Sequence, residues 1–343
     1  MSKKQVTIAL DGMGGDFGPS VVVPAAIEAI KSNENLTLII TGNEQLIKSE
    51  LSNFPAQFTN KITIRHTTQK VGSDELPSQA LRKKKDSSLR VAIDLVKENQ
   101  AQACVSAGNT GALMATARFV LKMLPGVDRP AICTALPTMT GHTHVLDLGA
   151  NVDSSAESLF EFAAMGSALV QAVDDIKSPT VGLLNIGEEE IKGIESVKEA
   201  AQILANSELN YIGYVEGDGI YQGVADVVVC DGFVGNVMLK TSEGVAKMIS
   251  HYMKQAFYKN IFTTFAGLVA KPVLKQFRKK IDPREYNGAS FLGLQGIAVK
   301  SHGSADAYSF AHAINQAVLE VEKNVPALIT SLLETHLSER QVS

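Results

Sequence analysis

The short polar segment SAGNTG, residues 106–111, has the composition best suited to chemistry in this sequence. It lies between an apolar strand-like run and an apolar helical pattern. Small residues let backbone amides converge, and the start of a helix adds partial positive charge, so a phosphate group suits the segment. It is not a Walker loop, because no Gly-Lys-Ser/Thr follows. A capped helix start without a ligand is the alternative. The predicted phosphate contacts are Ser106, Gly108, Asn109, Thr110 and Gly111.

A second glycine-rich turn, DGMGGD at 11–16, follows the first strand-like run. A dinucleotide fingerprint fails here because Phe17 stands where the third glycine belongs, and without that glycine the helix cannot pack closely on the strand. Two aspartates in the turn would also repel a pyrophosphate. A tight turn held by carboxylates is therefore favoured over a nucleotide site, and Asp11 is a candidate polar group of the substrate site.

Three further turns each place one functional side chain after an apolar run. Asn151 in LGANVD suits a hydrogen bond to a polar ligand or to the turn itself. Lys192 in NIGEEEIKG offers a cation, with a solvent-exposed surface lysine as the ordinary alternative. Asp231 in CDGFVGN stands at the mouth of a buried strand, which makes it a candidate oriented carboxylate. A turn-forming aspartate is the alternative there.

Histidine and cysteine give weaker signals. His302 begins HGSAD, a polar run before a helix for which Ser304 is the predicted N-cap. His142 and His144 form an HxH pair, but the sequence suggests no third ligand, so we predict polar loop residues there. The sequence has neither HExxH nor a GxSxG elbow, and its three cysteines form no CxxC pair. We therefore expect no metal, no cofactor and no covalent catalytic triad.

Elements that would position these turns follow from the apolar pattern. Runs rich in Val and Ile alternate with helical patterns, which predicts an α/β fold with a largely parallel, doubly wound sheet. In such sheets ligands bind at loops after the carboxyl ends of strands, where the polar turns lie. The predicted strands are 5–10, 36–41, 61–65, 103–106, 131–136, 144–149, 180–186, 210–215 and 226–230. The predicted helices are 19–31, 87–99, 110–124, 155–173 and 194–206, with Ser154 and Glu157 as a capping box for the fourth.

Residues 244–281 differ from the rest of the chain because they contain no Asp or Glu but eight Lys or Arg. Their apolar residues recur at helical spacing, which predicts a hairpin of two helices, the second bent or restarted near Pro272. A dimer interface or a core helix pair is the simplest interpretation. Binding to an anionic membrane or an acidic protein is compatible with it. The predicted dimer and membrane contacts are Phe257, Ile261, Phe262, Phe265 and Leu268.

The overall composition excludes several classes of protein. A chain of 343 residues that is 45% hydrophobic and 20% charged is typical of a globular protein with a large core. Its net charge of −4 and the lack of a basic patch interleaved with aromatics argue against nucleic-acid binding. No Pro/Gly linker divides it, so we predict one unit over 1–343. Without a signal peptide or an apolar stretch of about 18 residues, a cytoplasmic protein is expected.

Taken together, these turns resemble the bacterial phosphate acyltransferases of phospholipid synthesis. The shared motifs occur in order over nearly the whole chain, so they are far more specific together than singly. They are DGMGGD (11–16), LRKKKDSSL (81–89), SAGNTGALM (106–114), DRPA (128–131), LDLGANVD (146–153), GLLNIGEEEIKG (182–193), VADVVVCDGFVGNV (224–237) and KSHGSAD (300–306). The family more commonly opens with DAMGGD, a change that leaves the turn intact.

The resemblance implies a fold similar to the isocitrate-dehydrogenase-like and phosphotransacetylase enzymes. This is a three-layer α/β/α body with two lobes around a cleft. It also implies a homodimer with the helical hairpin 244–281 near the two-fold axis, recruited through that hairpin to the inner membrane surface. Acyl carrier protein would donate the acyl group. A membrane-bound glycerol-phosphate acyltransferase would receive the acyl phosphate product.

The implied reaction needs little acid–base help. Phosphate is largely dianionic at neutral pH, and a thiol with a pKa of about 8.5 leaves as its thiolate. The protein must hold phosphate beside the thioester carbonyl and stabilise the oxyanion. We expect 106–111 to hold phosphate, Lys192 to neutralise negative charge, and Asp231 to orient Lys192 or a phosphate proton. Asn109, Asn151 and His302 are weaker candidates for polar contacts.

Three other functions are compatible with parts of this pattern. A phosphotransacetylase-like enzyme would use a short coenzyme A thioester with the same phosphate chemistry. A nicotinamide-dependent dehydrogenase is disfavoured by the broken dinucleotide fingerprint. A non-catalytic scaffold that recruits lipid enzymes to a membrane would show no turnover.

Overall fold

Eleven strands form one mixed sheet at the centre of the computed structural model, which describes residues 5–340. The strand order across the sheet is β3-β2-β1-β4-β11-β10-β5-β6-β9-β7-β8. The strands are β1 Val6–Asp11, β2 Leu36–Gly42, β3 Ile62–His66, β4 Ala103–Ser106, β5 Ala131–Pro137, β6 His142–Leu146, β7 Thr180–Leu184, β8 Asn210–Val215, β9 Val227–Val229, β10 Ala289–Leu292 and β11 Ile297–Lys300.

Helices cover both faces of the sheet. Consecutive residues of β1 show this, because Ile8 and Ala9 belong to different hydrophobic clusters on opposite faces. The three-layer α/β/α fold predicted from the sequence is therefore confirmed. The helices are α1 Pro19–Ser32, α2 Glu44–Leu51, α3 Ala56–Thr59, α4 Pro77–Lys83, α5 Ser88–Lys97, α6 Thr110–Leu121, α7 Ala156–Val173, α8 Glu195–Ala205, α9 Gly217–Gln222, α10 Gly232–Phe257, α11 Ile261–Ile281, α12 Ala307–Lys323 and α13 Val325–Arg340, with a 3₁₀ turn at Pro283–Tyr286.

The sheet reverses direction near its middle. Strands β3, β2, β1, β4 and β11 are parallel to one another, whereas β10 is antiparallel to both β11 and β5. Strand β5 is in turn antiparallel to β6, which is parallel to β9, and β7 is parallel to both β9 and β8. The turns that follow β1, β4 and β11 therefore form one group, and those that follow β6, β7 and β9 form another.

Several predicted boundaries are wrong by a few residues. Strand β6 begins at His142, two residues before the predicted start at His144, so both histidines lie in the strand and the loop position predicted for the HxH pair is wrong. The cap of α7 is Ser155, one residue after the predicted Ser154, because the Ser155 hydroxyl accepts the backbone N–H of Ser158. The cap of α12 is Asp306 and not Ser304, since the Asp306 carboxylate accepts the Ser309 N–H at 2.8 Å.

Other elements were absent from the sequence prediction. Strands β10 and β11 have only four residues each, too few for a clear alternating pattern. Helix α10 begins at Gly232, twelve residues before the predicted hairpin at 244, so its first turns belong to the body of the protein. The turn residues 147–149 were predicted as the end of a strand, but they leave the sheet after Leu146.

The predicted hairpin is formed by the later part of α10 and by α11. Asn260 caps α11 in a reciprocal pair of hydrogen bonds with Thr263. Helix α11 continues through Pro272 without a restart. Gly267 lies close to Phe257, where an added Cβ would stand 3.0 Å from the ring. The two helices thus meet at this pair, and Phe257 is half-buried in their contact.

Other apolar side chains of the hairpin face solvent. Ile261 and Phe262 are 80% and 83% exposed, and Phe265 and Leu268 are also exposed. An exposed apolar surface of this extent marks an interaction face. The side chains of the predicted basic residues Arg278, Lys279 and Lys280 lie outside the described residues. No helix in the described part of the chain is both long enough and apolar enough to span a membrane.

Candidate functional site

Three turns interlock after β1, β4 and β11, and we call residues 11–16, 106–111 and 300–306 the cradle loops. The buried Ser106 hydroxyl donates a hydrogen bond to Asp11 Oδ2 at 2.7 Å. The Ser301 N–H donates to the Ser106 carbonyl at 2.9 Å. The structure therefore brings predicted site residues from distant motifs into direct contact.

Glycine is required where two cradle loops touch. A Cβ added to Gly14 would stand 2.5 Å from Asp11 Oδ2 and 2.8 Å from the Gly108 nitrogen. Contacts this short do not occur with real side chains, so the close approach of the two turns needs glycine at position 14. The DGMGGD turn thus packs directly against the SAGNTG turn.

Asn109 holds the start of α6 and the neighbouring segment together. Its Oδ1 accepts the Ala112 N–H at 2.9 Å, while its Nδ2 donates to the carbonyls of Ser73 and Glu75 at 2.9 and 3.0 Å. These bonds engage both the donor and the acceptor side of the amide, which favours a positioning role. Thr110 and Gly111 are the first two residues of α6, so their backbone lies at the positive end of the helix dipole.

Lys300 is the cradle residue that sequence reasoning missed. It ends β11 in register with Ser106 on β4, and its Nζ donates to the Ala107 carbonyl at 3.4 Å and also to the Ser301 carbonyl. Burial lowers the pKa of this half-buried ammonium to about 8, while Asp11 opposes the shift. The available signal was a lysine directly after an apolar run and before HGSAD, inside a motif already recognised.

His302 lies beside this lysine. Its backbone N–H donates to Asn287 Oδ1 at 2.9 Å, and its ring Nδ1 accepts the Ser304 N–H at 3.2 Å. Burial lowers the pKa of the His302 ring, and the nearby lysines add to the shift. The imidazole is therefore neutral at pH 7 and able to make a polar contact without adding charge.

The second group of turns follows β6, β7 and β9, and we call residues 147–153, 185–193 and 230–236 the distal loops. Asp147 is fully buried, and its carboxylate accepts backbone N–H bonds from Ile132, Gly149, Ala150 and Asn151. The Asn151 amide donates to Asp147 Oδ2 at 2.9 Å and to the Pro130 carbonyl at 2.8 Å. Asn151 is therefore turned inward, where it pins the turn.

Asp231 and Lys192 are also engaged with their own loops. Asp231 caps α10, since its Oδ1 accepts the N–H groups of Phe233 and Val234 at 2.9 and 3.0 Å. The Lys192 side chain is 44% exposed, and its ammonium lies 3.7 Å from Glu189 Oε1. Among the hydrogen bonds and ion pairs of residues 5–340, none joins Lys192 to Asp231. Their loops follow the adjacent parallel strands β7 and β9.

Helix α10 connects the two groups of turns. It starts at Gly232, and Lys240, eight residues further and about 12 Å along the axis, contributes to the electrostatic field at Lys300 and His302. At its first turn, Asn236 packs against Gly149, with the position of an added Cβ 3.4 Å from Asn236 Cβ. Asn236 is exposed and adds an amide to the distal loops that the sequence prediction did not name.

The cradle suits an anion better than it suits covalent chemistry. It combines a cationic lysine at the end of β11 with a serine hydroxyl at the end of the neighbouring strand β4 and the helix start that follows it. The three cysteines are buried, and burial raises the pKa of Cys104 to about 12 and shifts Cys133 and Cys230 in the same direction. A thiolate nucleophile is therefore unavailable at neutral pH.

Comparison with known proteins places these features in a family. Residues 6–328 match the model of the family described as fatty acid synthesis protein. A phosphate acyltransferase from Nitrosococcus oceani is 60% identical over 337 residues, covering 98% of this chain and 99% of that protein. A phosphate acyltransferase from Legionella pneumophila is 57% identical over 337 residues, with 98% of each chain covered.

Solved structures share the fold at low sequence identity. A phosphotransacetylase from Streptococcus pyogenes superposes with a TM-score of 0.61 at 19% identity, covering 92% of this chain and 94% of that one. A phosphotransacetylase from Staphylococcus aureus gives a TM-score of 0.59 at 16% identity, with 93% and 95% covered. This likeness shows that the chain shares their α/β fold.

Proposed function

The chain belongs to the fatty acid synthesis protein family of phosphate acyltransferases and is therefore an acyltransferase, and from this premise we propose that it converts acyl-acyl carrier protein and inorganic phosphate into acyl phosphate and free carrier protein. The product would serve phospholipid synthesis. The observation that supports the phosphate half of this proposal most directly is Lys300 in the cradle, beside Ser106 and the start of α6.

In the proposed reaction the cradle loops hold phosphate as a nucleophile. The Lys300 ammonium and the first backbone amides of α6 neutralise part of the phosphate charge. The Ser106 hydroxyl donates a hydrogen bond to Asp11, which holds this carboxylate against the turn. A phosphate oxygen attacks the thioester carbon, the tetrahedral oxyanion collapses, and the carrier thiol leaves as thiolate. Correct placement of two reactants supplies roughly 7–11 kcal/mol of the barrier reduction.

The distal loops would act on the acyl side. Lys192 is the one basic residue in their sequence, and we assign it to the tetrahedral oxyanion, for which it must leave Glu189. A single well-placed oxyanion donor contributes about 3–4 kcal/mol. Asp231 would fix the start of α10 by accepting the N–H groups of Phe233 and Val234. Asn236 and Gly149 would then border the acyl site.

The proposed unit is the whole chain, 1–343, with two lobes that close around a cleft bordered by the two groups of turns. We further propose that the enzyme is a homodimer. The hairpin then provides both the dimer contact and a peripheral contact with the cytoplasmic face of the inner membrane, through Ile261, Phe262, Phe265 and Leu268. There the acyl phosphate would pass to a membrane-bound glycerol-phosphate acyltransferase.

Charge supports the same partners. Residues 244–281 contain eight basic and no acidic residues, although the chain as a whole has a net charge of −4. Each Lys or Arg near an anionic membrane contributes about 1 kcal/mol to binding, and the same charges attract an acidic carrier protein. Sedimentation with anionic liposomes should show binding that weakens with salt. Absence of binding at every salt concentration would leave the hairpin as a protein–protein contact.

The test is an assay of the purified enzyme with acyl-acyl carrier protein and phosphate, in which hydroxylamine traps acyl phosphate. Turnover with a long-chain acyl carrier protein that exceeds turnover with acetyl-coenzyme A supports the proposal. The reverse preference would assign the phosphotransacetylase activity. Phosphate-independent release of the carrier, or an acylated protein side chain recovered from the reaction, would contradict direct attack by phosphate.

A further inference from the structure

A second polar site lies where β6 meets the end of α7. His142 and His144 occupy the first and third positions of β6, so their side chains share one face of the strand. Asp174 follows the last residue of α7 as its C-cap. The two histidine Nε2 atoms lie 3.0 and 2.9 Å from the same carboxylate oxygen, Asp174 Oδ2.

We propose that His142, His144 and Asp174 form a binding site for one divalent transition-metal ion, with Zn²⁺ as the representative ion. Their three potential ligand atoms lie within 4.8 Å of one another. A zinc ion has Zn–N and Zn–O bonds of about 2.0–2.2 Å, so small side-chain movements would let all three atoms bind it. Two residues are close in sequence, but the third comes from about 30 residues away, which is why the HxH pair alone indicated no site.

The donor set determines the class of ion. Imidazole nitrogens suit zinc, copper, nickel and iron, whereas magnesium and calcium prefer oxygen ligands alone. Two imidazoles and one carboxylate therefore suit an ion such as Zn²⁺, which is intermediate between hard and soft metal ions. Three protein ligands leave at least one coordination position for water.

The surroundings have room for that water. The cluster lines a cavity of about 260 Å³ between α7 and α12, whose wall includes Tyr286 and Asn287. His144 Nδ1 is buried and has no hydrogen-bond partner among the residues that the structure describes, so no second bond to them holds the ring in place. The ring is thus able to turn its Nε2 onto an ion.

This site lies next to the cradle but outside it. Asn287 lines the cavity, accepts the His302 N–H at 2.9 Å, and donates to the Ser301 hydroxyl at 2.8 Å. The proposed metal makes no contact with the cradle residues assigned to phosphate. Metal binding and acyl transfer can therefore be tested separately, and failure of either leaves the other standing.

The experiment is a titration of metal-free, full-length protein with ZnCl₂ by isothermal calorimetry, after removal of any affinity tag. One ion per chain is expected. His142→Gln and Asp174→Asn should each weaken binding by more than ~100-fold, because loss of a ligand exceeds the 10- to 100-fold cost of losing a supporting group. His251→Gln removes an exposed hairpin histidine and should bind as the wild type does. MgCl₂ should not compete.

Folding of each variant is checked by its thermal midpoint in the absence of metal. His142 is partly exposed, so His142→Gln keeps the test valid even if the Asp174 variant fails to fold. Added ZnCl₂ should raise the midpoint of the wild type and of His251→Gln, but not that of His142→Gln. The proposal is overturned if the wild type binds no zinc, or if His142→Gln binds it as tightly as the wild type.

Discussion

The cradle loops and the distal loops look alike in sequence but differ in what their charged groups do. Both sets are glycine-rich turns after parallel strands. In the distal loops the carboxylates of Asp147 and Asp231 are occupied by backbone N–H groups of their own turns. In the cradle, the half-buried Lys300 ammonium donates to the backbone carbonyls of Ala107 and Ser301, which are neutral acceptors.

This difference shows that residue type alone does not identify a binding group. The carboxylates of acidic residues in glycine-rich turns often accept hydrogen bonds from backbone N–H groups of the same turn, because their side chains are short. A half-buried cation is different, because its desolvation costs free energy unless an anion compensates. The cradle is therefore the better candidate for phosphate, and the distal loops for the less charged acyl carbonyl.

The largest effect is expected at Lys300. On the proposed mechanism, Lys300→Met removes the cation that faces phosphate and should lower kcat/KM for phosphate by about 10³-fold, the upper end of the range for loss of one oxyanion donor. Lys97→Met, on the exposed last turn of α5, is the matched control and should keep full activity. Circular dichroism checks that both variants fold. Activity of Lys300→Met within a few-fold of the wild type would place phosphate elsewhere.

Lys192→Ala should have a smaller effect, of about 10²-fold, that appears in kcat with little change in KM for phosphate. The Lys192 side chain is solvated and paired with Glu189, so its contribution arises mainly in the transition state. Glu189→Gln is the companion variant, and it should not reduce kcat. An effect of Lys192→Ala confined to KM for phosphate would move this lysine to the phosphate site.

A pH profile separates the two lysines. Burial lowers the pKa of Lys300 to about 8, so its cationic form is lost as pH rises through 8. We expect kcat/KM for phosphate to fall above pH 8, approaching tenfold per pH unit. Lys300→Arg keeps a charge at every accessible pH, so any activity that remains should lose this decline. An unchanged decline in the arginine variant would assign the titration to another group.

The smallest expected effect concerns Asp231. Asp231→Ala removes the N-cap of α10 and should lower the free energy of unfolding by about 1 kcal/mol, measured by urea denaturation. Asp231→Asn retains an N-cap acceptor, so it should restore most of the stability. If the carboxylate charge also contributes to catalysis, the asparagine variant will be stable but will have a lower kcat. That result would assign Asp231 a catalytic role.

Local patterns allowed much of the fold to be predicted. The strand–helix alternation and the contiguous motifs identified most strands, several helices and the SAGNTG turn, because each depends on neighbouring residues. The reversal of the sheet at β10 and β5 could not be predicted, since it depends on pairing between strands far apart in sequence. Lys300 lies in a recognised motif, but its contact with Ala107, 193 residues away, could be found only after folding.

The histidine pair gives the converse lesson. HxH was recognised at once, yet its third neighbour, Asp174, comes from the end of α7 and could be found only after folding. Asn109 and Asn151 were predicted as ligand contacts from their turns, but the structure uses both amides to hold backbone in place. Their assignment to substrate stays a prediction.

The most direct test of the central claim is equilibrium binding of inorganic phosphate to the wild type, Lys300→Met and Lys192→Ala, measured by calorimetry without acyl donor. Because the proposal assigns Lys300 to phosphate and Lys192 to the oxyanion, Lys192→Ala should bind phosphate as the wild type does. Lys300→Met should bind it at least about tenfold more weakly, as expected for loss of one charge-assisted bond. The opposite pattern, with binding lost in Lys192→Ala and kept in Lys300→Met, would contradict it.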